Sequence, residues 1–168
     1  DTIMACRLAS VVAARGAIVV LEVQPSLVKL LQGLNGVAQI LPRGAALPAG
    51  DYEASLLDLP GILGVESGSV PADVPYPAAD PARIERWRER LAGLPGCKVG
   101  IAWQGNPASN ADLGRSARLA AMAPLSALEG VRLVSLQKGA GTEQLWNFGP
   151  VEELGPGFDA GPDAFLDT

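Results

Sequence analysis

Among the 168 residues there is no histidine. That absence excludes Ser-His-Asp and Cys-His catalysis, His-ligated zinc and a histidine general base, so acid–base work falls to carboxylates, Lys, Tyr or Cys. Positive charge is also short. Thirteen Lys and Arg against 18 Asp and Glu leave a formal charge of −5, with a pI near 4.7, and so no electrostatic footprint for nucleic acid or an anionic membrane surface. Long apolar runs are missing too: the longest, residues 17–21, is far below the roughly 20 residues of a membrane span. No charged n-region with an apolar h-region opens the chain. The expectation is a soluble, cytoplasmic protein without nucleic-acid partners. Cysteine is limited to Cys6 and Cys97, which lack metal-ligand spacing and are predicted to be reduced core residues. Aromatics make up only 5%, so the core must be aliphatic. No glycine-rich dinucleotide fingerprint follows any predicted strand, which disfavours a dehydrogenase.

What is present is 48% hydrophobic residues punctuated by 20 Gly and 14 Pro, a composition that favours many short elements. Residues 1–15 place Ile3, Met4, Leu8, Val11 and Val12 on one helical face, with Gly16 as the stop. Residues 17–23 form a β-branched apolar run suited to a strand buried on both faces of a parallel sheet. Pro25 opens a predicted helix to Leu31, ended by Gly33. Further strands are predicted at 37–41 and 52–57, with a helical turn at 59–63. Four X-Pro pairs between Val70 and Pro81 predict an extended, semi-rigid interdomain connection over 70–80. Asp80 and Pro81 then cap and open a helix to Ala92 whose alternating charges mark a solvated face.

The second half restarts the α/β count, with strands at 98–103, 131–136 and 151–154, a helix at 119–128, a short helix at 142–146 and a polar run at 155–168. Residues 104–116 form a polar loop leaving the carboxyl end of a strand, the place where open α/β sheets bind ligands. Arg115 and Ser116 stand where the next helix is expected to begin. A cation, a hydroxyl and helix N–H groups at one point suit a phosphate, and an ordinary surface loop with a Ser N-cap is the alternative reading. Lys138, in the next strand-end loop 137–141, is a candidate second cation over the same edge. Two cations suit a diphosphate, while an exposed loop lysine stays open as the plainer reading.

Several short motifs, in order, carry a resemblance. They are Asp1-Thr2-Ile3 with its helix, Val19-Val20-Leu21-Glu22-Val23-Gln24-Pro25, Val74-Pro75-Tyr76 leading to Asp80-Pro81, and Val99-Gly100-Ile101-Ala102-Trp103 with Gly105-Asn106-Pro107. Arg115-Ser116 and Val134-Ser135-Leu136-Gln137-Lys138 complete the set. In this order the chain resembles the glycosyltransferase region of bacterial tetratricopeptide-repeat glycosyltransferase-like proteins, itself similar to the lipopolysaccharide heptosyltransferases of glycosyltransferase family nine. The resemblance implies an α/β fold with a GT-B-like pair of Rossmann-like parallel-sheet lobes. These are an acceptor-side lobe at 1–69, the link at 70–80 and a donor-side lobe at 81–168, both lobes incomplete.

The resemblance further implies a metal-independent inverting glycosyltransferase that needs no cofactor and moves a sugar from a nucleotide-sugar donor to an acceptor hydroxyl. Asp1 matches the proposed general base, without the glycine that precedes it in the family. Arg115 matches the residue that contacts the donor phosphates. Gly105, Asn106, Ser116, Gln137 and Lys138 fall on the remaining donor-side motifs. Where the family loop carries a histidine and an Asn-Asp pair, this chain has Ser109, and Ala111 before Asp112. The family's first strand and its nucleotide-binding His-Leu-Ala segment lie outside these residues, so the chain is expected to be the middle of an enzyme and inactive alone. A non-catalytic sugar-nucleotide-binding or scaffolding module is the alternative.

Overall fold

A computed structural model describes residues 1–71 and 74–168. The chain divides into two compact α/β units: residues 1–83 with 161–166, and residues 84–160 with 167–168. Each holds a small parallel sheet, of two strands in the first and three in the second. Among the described residues no helix is long and apolar enough to cross a membrane.

In the first unit, α1 (Thr2–Ala5) and α2 (Arg7–Ala14) are one predicted helix broken at Cys6. Side chains take the carbonyls of the last α1 turn: the Cys6 thiol donates to the Ile3 carbonyl at 3.1 Å and Arg7 Nε to that of Met4 at 2.9 Å. These bonds compete with the helical ladder. β1 (Val19–Val23) pairs in parallel with β2 (Val37–Pro42), across a 3-10 turn at Pro25–Leu27 and α3 (Val28–Leu31). Leu21, Val23, Leu27, Leu31 and Leu34 bury against Cys6 and Ala9 of the first helices. At about 1.5 to 3 kcal/mol for each fully buried aliphatic side chain, this cluster is the chief stabilisation of the unit.

The expectation of a strand covered on both faces is corrected. Burial alternates along β1, with Val20 37% exposed and Ile18, just before the strand, 87% exposed, because helices cover one face only. Residues 52–57 form no strand; Tyr52 is fully exposed and Ser55–Asp58 is a turn, with Pro48, Gly50 and Pro60 around them. α4 (Leu59–Leu63) ends at Gly64 in the left-handed region. Of the predicted connection 70–80, Pro71 and Tyr76 are held to α2 by Arg7, through Nη1 at 3.3 Å and Nη2 at 3.4 Å. Ala72 and Asp73 of that connection lie outside the described residues. The division between units falls at Arg83 and Ile84.

α5 (Pro81–Ala92) carries that division and opens as the Asp80-Pro81 pair predicts, with Asp80 Oδ1 accepting the Ala82 N–H at 2.8 Å. In the second unit β3 (Cys97–Ile101), β4 (Val131–Ser135) and β5 (Glu152–Glu153) pair in parallel in that order. Burial on β3 rises toward its carboxyl end, so Ile101 is buried whereas Cys97 is exposed and free. The prediction of two core cysteines therefore holds for Cys6 alone. Ile101, Trp103, Leu119 and Leu133 form the core cluster of this unit. The expected helix at 119–128 is a 3-10 turn, Leu119–Met122, followed by the single-turn α6 (Ala123–Ser126), with Pro124 in its first turn.

Candidate functional site

β3 and β4 end side by side, Ile101 opposite Ser135. The loops leaving them therefore open on one edge of the sheet. The 104–116 loop folds back on itself through local bonds. Asn106 Oδ1 accepts the Ala108 N–H at 3.0 Å, Ser109 Oγ accepts that of Ala111 at 3.3 Å, and the Ala117 N–H reaches the Trp103 carbonyl at 2.9 Å. Inside the loop an open depression of about 440 Å³ is lined by Trp103, Gln104, Gly105, Asn106, Asp112 and Arg115, among others.

Of the predicted donor-side residues, Gly105, Asn106 and Arg115 line this depression. The exposed Arg115 side chain has no hydrogen-bond or ion-pair partner among the described residues. Ser116 faces inward instead: its hydroxyl donates to the Asp112 carboxylate at 2.7 Å and accepts the Gly105 N–H at 2.9 Å. Nor do Arg115 and Ser116 begin a helix. The next helical turn starts at Leu119, with Arg118 at its N-cap position, so helix N–H groups are not added to Arg115 as expected. Asp112, which sequence reasoning passed over as a site residue, is the structural centre of the loop. The spacing of Asp112, Arg115 and Ser116, three and four apart, is the signal that could have found it.

Gln137 of the second loop joins Trp103 and Gln104 through its carboxamide. The Lys138 ammonium donates to the carbonyl of Phe158 at 2.8 Å and to that of Asp159. Asp1 belongs to the first unit, exposed at the start of α1, with no side-chain capping bond. Its carboxylate is not consumed by its own helix.

Chemically, the depression offers one guanidinium and one carboxylate in its lining. An arginine recognises phosphate oxygens with two parallel N–H donors, and an ionised carboxylate accepts from hydroxyl groups. Each Asp112 oxygen has a lone pair left after the bond to Ser116. Among the described residues no group of three or more Cys, Asp or Glu is arranged to hold a metal. No family model matches the chain, and no curated protein or solved structure is significantly similar to it.

Proposed function

We propose that the second unit binds a nucleotide-sugar donor in the 104–116 loop, with Arg115 on the diphosphate and Asp112 on sugar hydroxyls. One observation carries this reading: a guanidinium without a partner among the described residues and a carboxylate line the same depression, past the carboxyl end of a parallel strand. A sugar diphosphate presents that pair of chemistries, anionic at one end and hydroxylated at the other. The two units are then the acceptor-side and donor-side lobes of a GT-B-type, metal-independent inverting glycosyltransferase. The Asp1 carboxylate takes the proton from the acceptor hydroxyl, whose oxygen attacks the anomeric carbon. The bond from that carbon to the diphosphate oxygen breaks, and Arg115 stabilises the charge that develops there.

A second reading, a sugar-nucleotide-binding or scaffolding module without transfer, is favoured by a specific observation. The Ser116 hydroxyl and the Lys138 ammonium are both engaged within the unit, which leaves Arg115 as the one predicted cation available to the leaving group. Calorimetric titration of the chain with UDP- and ADP-sugars tests binding, and release of diphosphate in the presence of sugar acceptors tests transfer. Binding with transfer supports the enzyme over the module, and binding alone is compatible with both. No binding of any nucleotide-sugar removes both.

A further inference from the structure

The two strand-end loops are joined by carboxamides. Gln137 Oε1 accepts the N–H groups of Trp103 at 2.9 Å and Gln104 at 3.0 Å, while its Nε2 donates to the carbonyls of Gln104 at 2.8 Å and Ala140 at 2.8 Å. The join continues outward. Gln144 Nε2 donates to Gln104 Oε1 at 3.0 Å, and Gln144 Oε1 accepts the Leu119 N–H at 2.8 Å. A primary amide has two N–H donors and two acceptor sites, and in Gln137 all four are filled. Nothing in that side chain is left for a ligand.

We infer that Gln137 is a positioning residue, a clamp that holds the two loops together and so sets the shape of the depression lined by Asp112 and Arg115, and that it does not touch the donor. Its effect on a ligand rests on the nucleotide-sugar reading above; the clamp itself does not. Three glutamines do the joining, and none of them titrates. The wild-type loop geometry is therefore insensitive to pH through this contact.

That property separates a clamp from a residue that merely fills space. Gln137→Glu keeps the volume and the oxygen that accepts the Trp103 and Gln104 N–H groups but turns the two N–H donors into a carboxylate oxygen facing the Gln104 and Ala140 carbonyls. Oxygen then meets oxygen, and the loops part. Protonation restores one O–H donor. An ordinary Glu titrates at about 4.3, and carbonyl neighbours favour the neutral acid and raise that value, so the donor returns as pH falls from about 8 toward 5.

The test compares wild type, Gln137→Ala and Gln137→Glu at pH 8 and pH 5. Hydrogen exchange of the Trp103 and Gln104 amides, corrected for intrinsic rate, reports the clamp, and calorimetry with UDP and ADP reports the depression. In Gln137→Ala these amides exchange roughly tenfold faster at both pH values. In Gln137→Glu they are fast at pH 8 and return toward wild type at pH 5, with nucleotide affinity following the same course. The glutamate variant at pH 5 keeps the comparison intact if the alanine variant does not fold. Equal protection in wild type and Gln137→Ala, or a Gln137→Glu profile without pH dependence, overturns the inference. Wild type that takes neither nucleotide while its amides respond as stated removes the nucleotide-sugar reading and leaves the clamp standing.

Discussion

The indole N–H of Trp87 donates to the Asp167 carboxylate at 2.9 Å, across 80 positions of sequence. The same carboxylate pairs with Arg86 and accepts the Asp159 N–H at 2.8 Å, and its side chain is only 1% exposed. A carboxylate so deep must be surrounded by donors, because an unsatisfied one is costly to bury. Phe158 packs edge-on against the Trp87 ring, centroids 5.6 Å apart. Trp87→Phe keeps a ring there and removes one donor, and should destabilise the unit by about 1 to 2 kcal/mol in urea unfolding. An unchanged midpoint would show that the indole N–H is dispensable to this carboxylate.

Arg115 is exposed and has no partner among the described residues, so Arg115→Ala should move stability by no more than about 0.5 kcal/mol. Its effect belongs to the ligand. Loss of a charge-assisted contact should weaken nucleoside diphosphate binding by roughly 1.5 to 3 kcal/mol. Asp112→Asn should do the reverse for a bare diphosphate, since it removes a negative charge from the lining of the same depression. For an intact nucleotide-sugar it should gain less or lose, because the carboxylate's bond to a hydroxyl is then sacrificed. Identical responses to diphosphate and nucleotide-sugar would detach Asp112 from sugar recognition.

Local rules made the punctuated elements legible: the β-branched run of β1, the turn opened by Pro25, and the helix capped by Asp80 and opened by Pro81 each depend on neighbours a few positions away. Burial did not follow the same way. The run at 17–23 reads as an interior strand, yet Val20 is partly exposed, since covering depends on which layers meet a sheet and not on the strand itself. At the candidate site, placing Gly105, Asn106 and Arg115 in one loop required only the strand–loop pattern. The bonds of Gln137 to Trp103 and Gln104 and the attachment of Lys138 to the polar tail were out of reach. Their partners lie 33 or 34 and 20 positions away, with no periodicity to announce them.

Cys6 and Cys97 should behave as different chemical groups. Burial pushes the Cys6 thiol above its ordinary value of 9.0, outweighing the opposite effects of its own backbone hydrogen bond and of Arg7. Cys97 is exposed. A disulfide reagent should therefore label one thiol in the native protein and two in denaturant. The sign of the pH effect follows from proton counting: the folded state holds the Cys6 proton at pH values where the unfolded chain has released it, so stability is full below pH 9 and falls above it. Comparison with Cys6→Ala isolates this slope, and parallel alkaline curves for the two proteins would contradict it.

In a form of the protein that transfers sugar, Asp1→Asn should abolish transfer and leave donor binding within about twofold, because the carboxylate acts on the acceptor hydroxyl and not on the diphosphate. Its side chain caps no helix N–H, so folding should be unaffected. Transfer at the wild-type rate in this variant would assign the base elsewhere.

Gly105 shows how closely the loop is drawn around Asp112. A Cβ at this position would lie 2.4 Å from Asp112 Oδ1 and 3.2 Å from its Cγ, closer than unbonded atoms approach. The obstacle is a side chain rather than backbone, but a short one already held by the Ser116 hydroxyl, whose oxygen also receives the Gly105 N–H. Gly105→Ala must therefore swing the carboxylate away and break the link to Ser116. The expected cost in stability is about 1 to 3 kcal/mol, in the range of a strained core insertion. Binding should respond selectively: affinity for a nucleotide-sugar falls, whereas affinity for a bare diphosphate, which depends on Arg115, changes little. Asp112→Asn, which preserves the loop, gives the reference for that split. Gly105→Ala with wild-type affinity for both ligands would mean that Asp112 does not set the shape of the depression.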